Sequence, residues 1–573
     1  MSFISIATGR CGLGVHSALT QYTSDYIGTL YHSSETRIGD TAHNSKGFAD
    51  ALRRLYFKDK PDTENDELVP RSIVIGSDVD GLECFDSTKI GNGIRQCLIR
   101  HMVTQNKGEA YHPTEWSYDA DYILHLPETS HDIWSIGFYK ALSYDELLSE
   151  QIRKTAEDTD SLNGFLSIGS LAGGTGSGVG SYVSQFLADH YQKTKHLTVA
   201  VAPFTYGESG TQALNVTLAL SRYQEFCDGI ILLQNDCHQS LCENLSGGNN
   251  KSLNAINDVY ALNLFHSLRP PATTCPISEI VRFHRPLDYI TDGLCSYPSL
   301  KLLNLDMLPH KMLEQVNKDS LSLQQMASQL ADTLKADPTL GDRLTNEKVS
   351  VLAKELNFQV VPDSTKSRCT TGPVDQVLIQ DFSGYKITNI NQNQTTLKFM
   401  NATFTPVMSP VLPNMGVMEN GISRRRFPGC DVKATPTETF KLIKTVGKKR
   451  SNITKYNVVA ALQLNMGGLL REDIKLADLY QDVLFWQHST RPIQLSYCPS
   501  DTGLFGCSLS QISNSQAPMA LVSFISTTAK MSYATNTNIH QYGATGLEKE
   551  EISNSLITVQ EIMSSYAALS TNI

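Results

Sequence analysis

The sequence predicts an α/β protein whose amino-terminal part is a doubly wound parallel sheet, followed by a smaller α+β unit, and three observations carry that expectation. Apolar runs of strand length alternate five times with stretches of helical spacing over the first 270 residues. A strand, a glycine-rich turn and a helix follow one another twice, at residues 3–27 and again at 165–191. Every residue suited to hold a ligand falls at the carboxyl end of a strand or in the helix after it, the edge where doubly wound sheets place their ligands.

Taken in order, residues 3–7 form an apolar run that ends in Thr8-Gly-Arg-Cys-Gly-Leu-Gly14, and Val15, Leu19, Tyr22 and Ile27 then recur at helical spacing. Alone, this turn is as consistent with tight packing as with a ligand. Residues 33–70 are polar and read as an exposed excursion before a strand at 72–75. That strand runs into Gly76-Ser-Asp-Val-Asp80, where Asp78 and Asp80 are candidates to hold Mg²⁺ through water; an Asx turn is the alternative.

The most informative stretch is Ser167 to Tyr191. Phe165, Leu166 and Ile168 close a strand, Ala172-Gly-Gly-Thr-Gly-Ser-Gly178 follows, and Val179, Val183, Phe186, Leu187 and Tyr191 give a helix. Backbone N–H groups uncovered by side chains, leading into a helix N-terminus, suit the phosphates of a nucleotide. The Thr175 and Ser177 hydroxyls can bond phosphate oxygens or cap the helix. The spacing fits neither a P-loop, since no lysine follows, nor the G-x-G-x-x-G of a dinucleotide fold.

A strand at 197–203, a loop at 205–211 and a helix through Leu214, Leu218 and Tyr223 come next. Another strand at 228–233 ends in Gln234-Asn-Asp236, and a long helix at about 253–268 carries Asn257 toward the second unit. Beyond Pro270 the elements are mixed: Arg285 to Leu294, a strand at 300–305, a helix at 320–335, strands at 456–464 and 521–526, and a final helix with Ile552, Leu556, Val559 and Met563 on one face. Between about 365 and 450 polar low complexity and basic clusters suggest a flexible surface insertion, with a basic docking arm the alternative. The expected domains are 1–252, a bridging helix at 253–269, a second domain at 270–530, and a helical segment at 531–573.

At 573 residues and 40% hydrophobic the chain can bury two or three cores. The net charge of −10 gives no support for nucleic-acid binding. Twelve cysteines without a C-x-x-C pair read as reduced cytosolic thiols rather than a zinc site. The start MSFISIATGR lacks the features of a signal peptide, and no run approaches the ~18 apolar residues of a membrane span, so a soluble intracellular protein is expected.

GGTGSG after a strand resembles the signature loop of the tubulin and FtsZ superfamily of GTP-binding filament proteins, and other stretches extend the likeness. Gly9-Arg10-Cys11-Gly12 stands where the tubulins carry Gly-Gln-Cys-Gly under the nucleotide. Arg10 replaces the glutamine; it could grip a phosphate bidentately and lessen the need for magnesium, or form a surface ion pair. Pro113-Thr-Glu-Trp-Ser-Tyr118 resembles the Asn-Asn-Trp-Ala loop that covers the phosphates, with Trp116 the matching residue. Asn215 falls on a nucleotide-side asparagine, and the equivalents of Asn235 and Asn257 hydrogen-bond the guanine edge. Leu253 stands where tubulins stack an aromatic on the base.

The resemblance implies a GTP/GDP site formed by Gly9, Arg10, Cys11, Gly12, Ser170, Ala172, Gly173, Gly174, Thr175, Gly176, Ser177, Asn215, Asn235 and Asn257. Hydrolysis in tubulins uses a carboxylate that reaches a neighbouring subunit's nucleotide. The matching position here is Tyr289, a poor base near neutral pH, which leaves Asp288 and Asp292 as candidates and implies slow, assembly-dependent turnover. The motifs Leu171-Ala-Gly-Gly174, Gln234-Asn-Asp236, Arg285-Pro-Leu287 and Ile539-His-Gln-Tyr542 are most like the δ branch of the tubulins, with the ε branch the alternative. That branch implies a structural role in basal bodies or centrioles, supporting triplet microtubules beside α/β and ε tubulins, with no nucleic-acid partner and no membrane insertion. A free GTPase switch outside any filament is the competing class.

Overall fold

The computed structural model describes residues 2–36, 40–58, 68–76, 116–126, 129–159, 161–205, 209–245, 253–270, 272–274, 281–283, 285–308, 323–334, 457–468, 480, 483–489, 492–498 and 507–571, with five strands between 358 and 441. The amino-terminal strands are β1 (Ser2–Thr8), β2 (Phe57–Lys58), β3 (Val69–Pro70), β4 (Ser72–Gly76), β5 (Ile123–His125), β6 (Leu162–Ser170), β7 (Lys195–Ala202) and β8 (Gly229–Gln234). Six of them form one parallel array in the order β5-β4-β1-β6-β7-β8. The helices between them are α1 (Gly9–Thr36), α2 (Asp40–Tyr56), α3 (Trp134–Ser143), α4 (Asp145–Glu157), α5 (Gly180–His190), α6 (Gln212–Phe226), α7 (Asn235–Leu245) and α8 (Leu253–Leu268).

Side-chain alternation along the strands explains why helices cover both faces. On β7, Leu197, Val199 and Val201 enter one core while Ala200 and Ala202 enter the other; on β8, Ile231 and Leu233 oppose Ile230 and Leu232. One core packs β-sheet residues against Trp134, Ile152, Val183, Phe186 and Leu218, and the other against Val15, Leu19, Tyr22, Leu52, Val259 and Phe265. The chain winds outward from β1 in both directions, to β4 and β5 on one side and to β6, β7 and β8 on the other, so the order reverses between β1 and β6. A crevice at the carboxyl ends of those two strands follows from this topology.

The sheet continues into the second unit. Its elements are β9 (Ala272–Thr274), β10 (Val281–Phe283), helix α9 (Pro286–Leu294), β11 (Leu302–Leu308) and helix α10 (Leu323–Leu334), then β12 (Phe358–Asp363), β13 (Tyr385–Asn391), β14 (Gln394–Met400), β15 (Arg424–Arg426) and β16 (Thr439–Lys441). After these come β17 (Val458–Gly468), β18 (Leu484–Phe485), β19 (Ile493–Cys498) and β20 (Cys507–Ser515), and helices α11 (Met519–Ala534), α12 (Ile539–Gly543) and α13 (Lys549–Thr571). β11 pairs parallel to β8 and antiparallel to β20, and the array runs on through β17, β19, β9 and β10. α8 is buried on all sides from Val259 to Leu268 and packs on α1, β11, β17 and β20.

Three sequence expectations are corrected. Residues 521–526 are not a strand but the start of α11, buried all round through Leu521, Val522, Phe524, Ile525 and also Ser523 and Ser526; a short apolar run carries no period that separates strand from helix. β20 was not expected, because its stretch CSLSQISNS is polar, yet Ser508, Ser510, Gln511, Ser513 and Asn514 are buried between β11 and β17. The polar stretch at 33–70 is no simple excursion: α2 lies within it and buries Phe48, Ala49, Leu52 and Leu55. The expected insertion at 365–450 lies mostly outside the described residues, apart from β13 to β16.

Candidate functional site

β1 and β6 are neighbours in register, Thr8 opposite Gly169, so both glycine turns emerge side by side. After Thr8 the chain swings into α1 through Gly9, whose φ of +70° is open to glycine at little cost. A Cβ there would lie 3.1 Å from the Gly176 backbone N. The Thr8 hydroxyl donates to the carbonyls of Ile168 (3.3 Å) and Gly176 (3.5 Å), tying the two turns together.

The second turn is shorter than its sequence suggests. Helical backbone begins at Gly174, and Thr175–Val179 form a π-helical turn that leads into α5. Single π turns inside helices recur at functional sites. Ser177 is fully buried, and its hydroxyl donates to the Gly173 carbonyl at 2.6 Å, so it caps the turn from within. The Ser170 hydroxyl accepts from the Ala172 N–H at 3.1 Å. A helix N-terminus so formed presents first-turn N–H groups and a positive dipole end to the crevice.

Of the stretch 113–118, expected to cover the phosphates, only Trp116 to Tyr118 are described. Trp116 is buried against α1, its indole N–H donating to the Gln21 side-chain oxygen at 2.9 Å. Residues 113–115 lie outside the described residues. Among the described residues the segment 129–134 sits on the glycine turn, with Trp134 buried behind it. Ser130 and Thr175 share a hydroxyl hydrogen bond at 3.0 Å, and a Cβ on Gly174 would meet the Ile133 backbone N at 2.7 Å. His131 and Asp132 hold φ of 46° and 53°, a left-handed conformation uncommon for side-chain-bearing residues and enriched at functional sites. The signal available in the sequence was Trp134-Ser-Ile-Gly137: α3 can press onto the turn only because residue 137 is glycine, whose Cβ would overlap the Gly174 carbonyl.

Hydrogen bonding separates the three asparagines. Asn215 is fully buried, and all its capacity is taken by protein. Its amide nitrogen donates to the carbonyls of Ala172 (2.6 Å) and Asp132 (2.8 Å), and its oxygen accepts from the Trp134 N–H (2.9 Å) and the Tyr542 hydroxyl (2.6 Å). It therefore braces the turn and the covering loop instead of facing the crevice. Asn235 accepts one bond from the Tyr260 hydroxyl at 2.8 Å, which fixes its carbonyl side; its amide nitrogen makes no hydrogen bond among the described residues. Asn257, half-buried over Gly14, makes none among the described residues, and a Cβ on Gly14 would stand 2.7 Å from its amide nitrogen. Leu253, 63% exposed, lies one turn before Asn257 on the same helix face.

Among the described residues charge at the site is sparse. Arg10 is exposed at the start of α1. Burial pushes the Cys11 thiol up to about 12, so it stays neutral beside any anion. Asp236 accepts from the backbone N–H of Thr205 at 2.9 Å and from its hydroxyl, anchoring the loop between β7 and α6. Asp78 and Asp80 lie outside the described residues, and no group of three potential metal ligands occurs among the described residues.

Asp288 and Asp292 are not brought to this crevice. They lie on α9 at the amino ends of the strands, where Asp292 pairs with Lys195 at 2.7 Å and Asp288 lies 3.8 Å from Arg285, which donates to Asn163. The length of β6 puts about 20 Å of strand between Asn163 and the glycine turn. Burial raises the Asp288 carboxyl above its ordinary value, and the Tyr289 hydroxyl donates to the Leu495 carbonyl at 2.9 Å.

Residues 2–243 match the family described as Tubulin/FtsZ family, GTPase domain. With the doubly wound sheet and paired glycine turns, this identifies that part of the chain as a Tubulin/FtsZ GTPase domain. Among curated proteins the chain is 24% identical to the tubulin delta chain of Canis lupus familiaris over 325 residues, 56% of this chain and 63% of that one. It is 30% identical to the tubulin delta chain of Homo sapiens over 210 residues, 36% of this chain and 46% of that one. The tubulin beta chain of Saccharomyces cerevisiae is 22% identical over 348 residues, 60% of this chain and 67% of that one. Beyond the GTPase domain the chain is similar to tubulin delta chains, and it matches between about half and two thirds of their length. Among the described residues no helix is long and apolar enough to cross a membrane.

Proposed function

We propose that the protein binds GTP or GDP between the two glycine turns and the face of α8, and serves as a structural tubulin. The observation that carries this reading is the convergence of Gly9 on Gly176 at the point where the strand order reverses, together with the hydrogen-bonding capacity that Asn235 and Asn257 leave unused among the described residues. Residues 172–176 and Gly9 to Gly12 would hold the phosphates through backbone N–H groups, with Arg10 adding a positive charge. Asn235 and Asn257 would read the guanine edge, and Leu253 would cover the base with an aliphatic surface. Asn215 and Ser177 would act from behind, holding the turn in shape. Bound GTP supplies the γ-phosphate whose presence or loss distinguishes the two nucleotide states. Mg²⁺, if required, would fall to Asp78 or Asp80.

The δ-tubulin likeness supports a place in basal bodies or centrioles, with other tubulins as partners and triplet microtubules as the structure maintained. Asp288 and Asp292, at the far edge of the sheet, would serve only a nucleotide presented by a neighbouring subunit. Titration of the full chain with fluorescent GTP tests the first claim: saturable binding competed by GTP and GDP is expected, and its absence refutes it. A tagged copy should mark basal bodies, with triplets lost on depletion; diffuse protein and intact triplets would favour a free GTPase instead.

A further inference from the structure

Three features of the carboxyl-terminal segment meet the candidate nucleotide site. Tyr542, on α12, is fully buried, and its hydroxyl donates to the Asn215 oxygen at 2.6 Å and the Thr211 carbonyl at 3.2 Å. The Thr545 hydroxyl donates to that of Ser135 at 2.6 Å, on the helix that follows the covering loop. Asn536 and Asn538 hold φ of 57° and 61°, a left-handed geometry in the turn that leads into α12 and sets how the segment meets the loop before α6. Asn215 in turn grips Ala172 of the glycine turn and Asp132 of the covering loop, and Thr211 also donates to the Asp132 carbonyl at 3.0 Å. One buried hydroxyl thus completes a chain that begins more than 300 residues away in sequence and ends at the two segments enclosing the glycine turn.

We infer that Tyr542 is a positioning residue of the nucleotide site: through Asn215 it holds the glycine turn and the loop at 129–134 in their closed relation, so that docking of α12 and nucleotide affinity are coupled. The inference rests on the proposed nucleotide reading. The physical ground is that Asn215 carries four bonds at once and has no fifth to offer. With the Tyr542 hydroxyl gone, the amide oxygen keeps only the Trp134 N–H, and the penalty for rotating away from Ala172 and Asp132 falls. Burial raises the Tyr542 phenol well above its ordinary value, so the hydroxyl remains a donor at any pH the fold survives. By reciprocity, a nucleotide that tightens the turn must tighten the docking of α12 by the same factor. α12 is continuous through a short turn with α13, a helix of 23 residues packed along α6, so the site is linked to an outer face of the molecule.

The test is Tyr542→Phe in the full chain, which keeps the ring and removes the hydroxyl. The expected result is a Kd for fluorescent GTP raised about tenfold, the equivalent of ~1.4 kcal/mol. Asn215→Asp, which cannot donate to Ala172 and Asp132, should weaken binding in the same way, and the double variant should be no worse than Asn215→Asp alone. Tyr297→Phe is the control, since it removes a comparable hydroxyl that donates to the His488 carbonyl at 2.8 Å in the second unit; it should leave Kd unchanged. GTP should also slow amide exchange in 539–547 in the wild type and not in Tyr542→Phe. A folded Tyr542→Phe protein with wild-type Kd, or additive losses in the double variant, overturns the inference while the nucleotide reading stands. Failure of the wild type to bind GTP overturns both.

Discussion

Replacing Gly173 by alanine separates ligand binding from folding. An ideal Cβ at this position meets nothing nearer than the Asp132 carboxylate oxygen at 3.8 Å, an ordinary van der Waals separation. The backbone is not in the left-handed region, so alanine brings no strain, and its narrower unfolded ensemble should leave stability unchanged or raise it by about 0.4–1 kcal/mol. The same methyl projects into the open side of the turn, where a phosphate must approach the backbone. Each charge-assisted N–H bond it blocks is worth about 1.5–3 kcal/mol, which corresponds to roughly a 10- to 150-fold rise in Kd. Gly174→Ala supplies the contrast. Its Cβ would stand 2.7 Å and 2.8 Å from the Ile133 backbone N and O and 2.8 Å from the Ser130 Cβ, so stability should fall by about 1–3 kcal/mol together with binding. Thermal melts and fluorescent-GTP titrations of both proteins decide the matter. A Gly173→Ala protein that melts normally and binds GTP with wild-type affinity refutes the assignment of phosphates to this turn.

Four further outcomes follow from the same geometry. Gly178→Ala should lower the urea midpoint by the equivalent of about 1–3 kcal/mol, because its Cβ would overlap the Trp134 carbonyl and stand 2.7 Å from the Phe138 N; an unchanged midpoint would count against the packing of α3 on the π turn. Arg10→Gln should weaken GTP binding and increase its dependence on Mg²⁺, and superimposable titrations with and without magnesium would remove Arg10 from the site. Single-turnover assays of the isolated protein should show very slow hydrolysis; efficient turnover that survives both Asp288→Asn and Asp292→Asn would rule out the proposed role of those carboxylates. Stability should fall between pH 7 and 5, since burial lowers His16 to about 4 and His196 to about 3 and the unfolded chain binds the extra protons, a loss of about 2 kcal/mol each by pH 5. Asp306, raised to about 6, acts in the opposite sense but contributes only about 1.4 kcal/mol there, so a melting temperature that is flat or rises toward pH 5 would contradict the buried neutral histidines.

The amino-terminal half was legible because its strands are buried on both faces and its turns are written in glycine. Runs such as Ile230 to Leu233 have one reading as parallel strands, and Gly9 and Gly173–Gly178 mark the carboxyl ends of β1 and β6 without reference to anything distant. The part of the segment 129–134 on the glycine turn was not legible, because a tryptophan in a polar stretch identifies itself only by what it packs against. Trp116 and Trp134 are both buried, and only the contact of Gly137 with Gly174 tells them apart. The second unit was harder for a different reason. β20 reads as a polar segment because its buried serines and its asparagine pair with partners far away in sequence: Asn514 donates to the carbonyls of Leu294 and Leu300 and accepts from Tyr566. Local propensity carries no record of such pairings.

Asn215 shows why residue type alone could not separate ligand from scaffold. An asparagine offers two donor and two acceptor positions, and a nucleotide base needs some of them unspent. In Asn215 all are used within 3 Å, two of them on backbone carbonyls that enclose the glycine turn, so substitution there would alter the shape of the site without removing a direct contact. Asn235 and Asn257 share its chemistry, but among the described residues one has only its carbonyl engaged, by Tyr260, and the other is seated over Gly14 with no protein bond. The same reasoning applies to the carboxylates. Lys195 balances Asp292 and Arg285 approaches Asp288, both at the amino ends of strands whose opposite ends carry the glycine turns. Because all strands of the amino-terminal array point the same way, one chain cannot bring its two edges together. On the proposed reading, a nucleotide on one subunit and Asp288 or Asp292 of the next would meet where subunits stack edge to edge with their sheets in the same polarity, a head-to-tail arrangement.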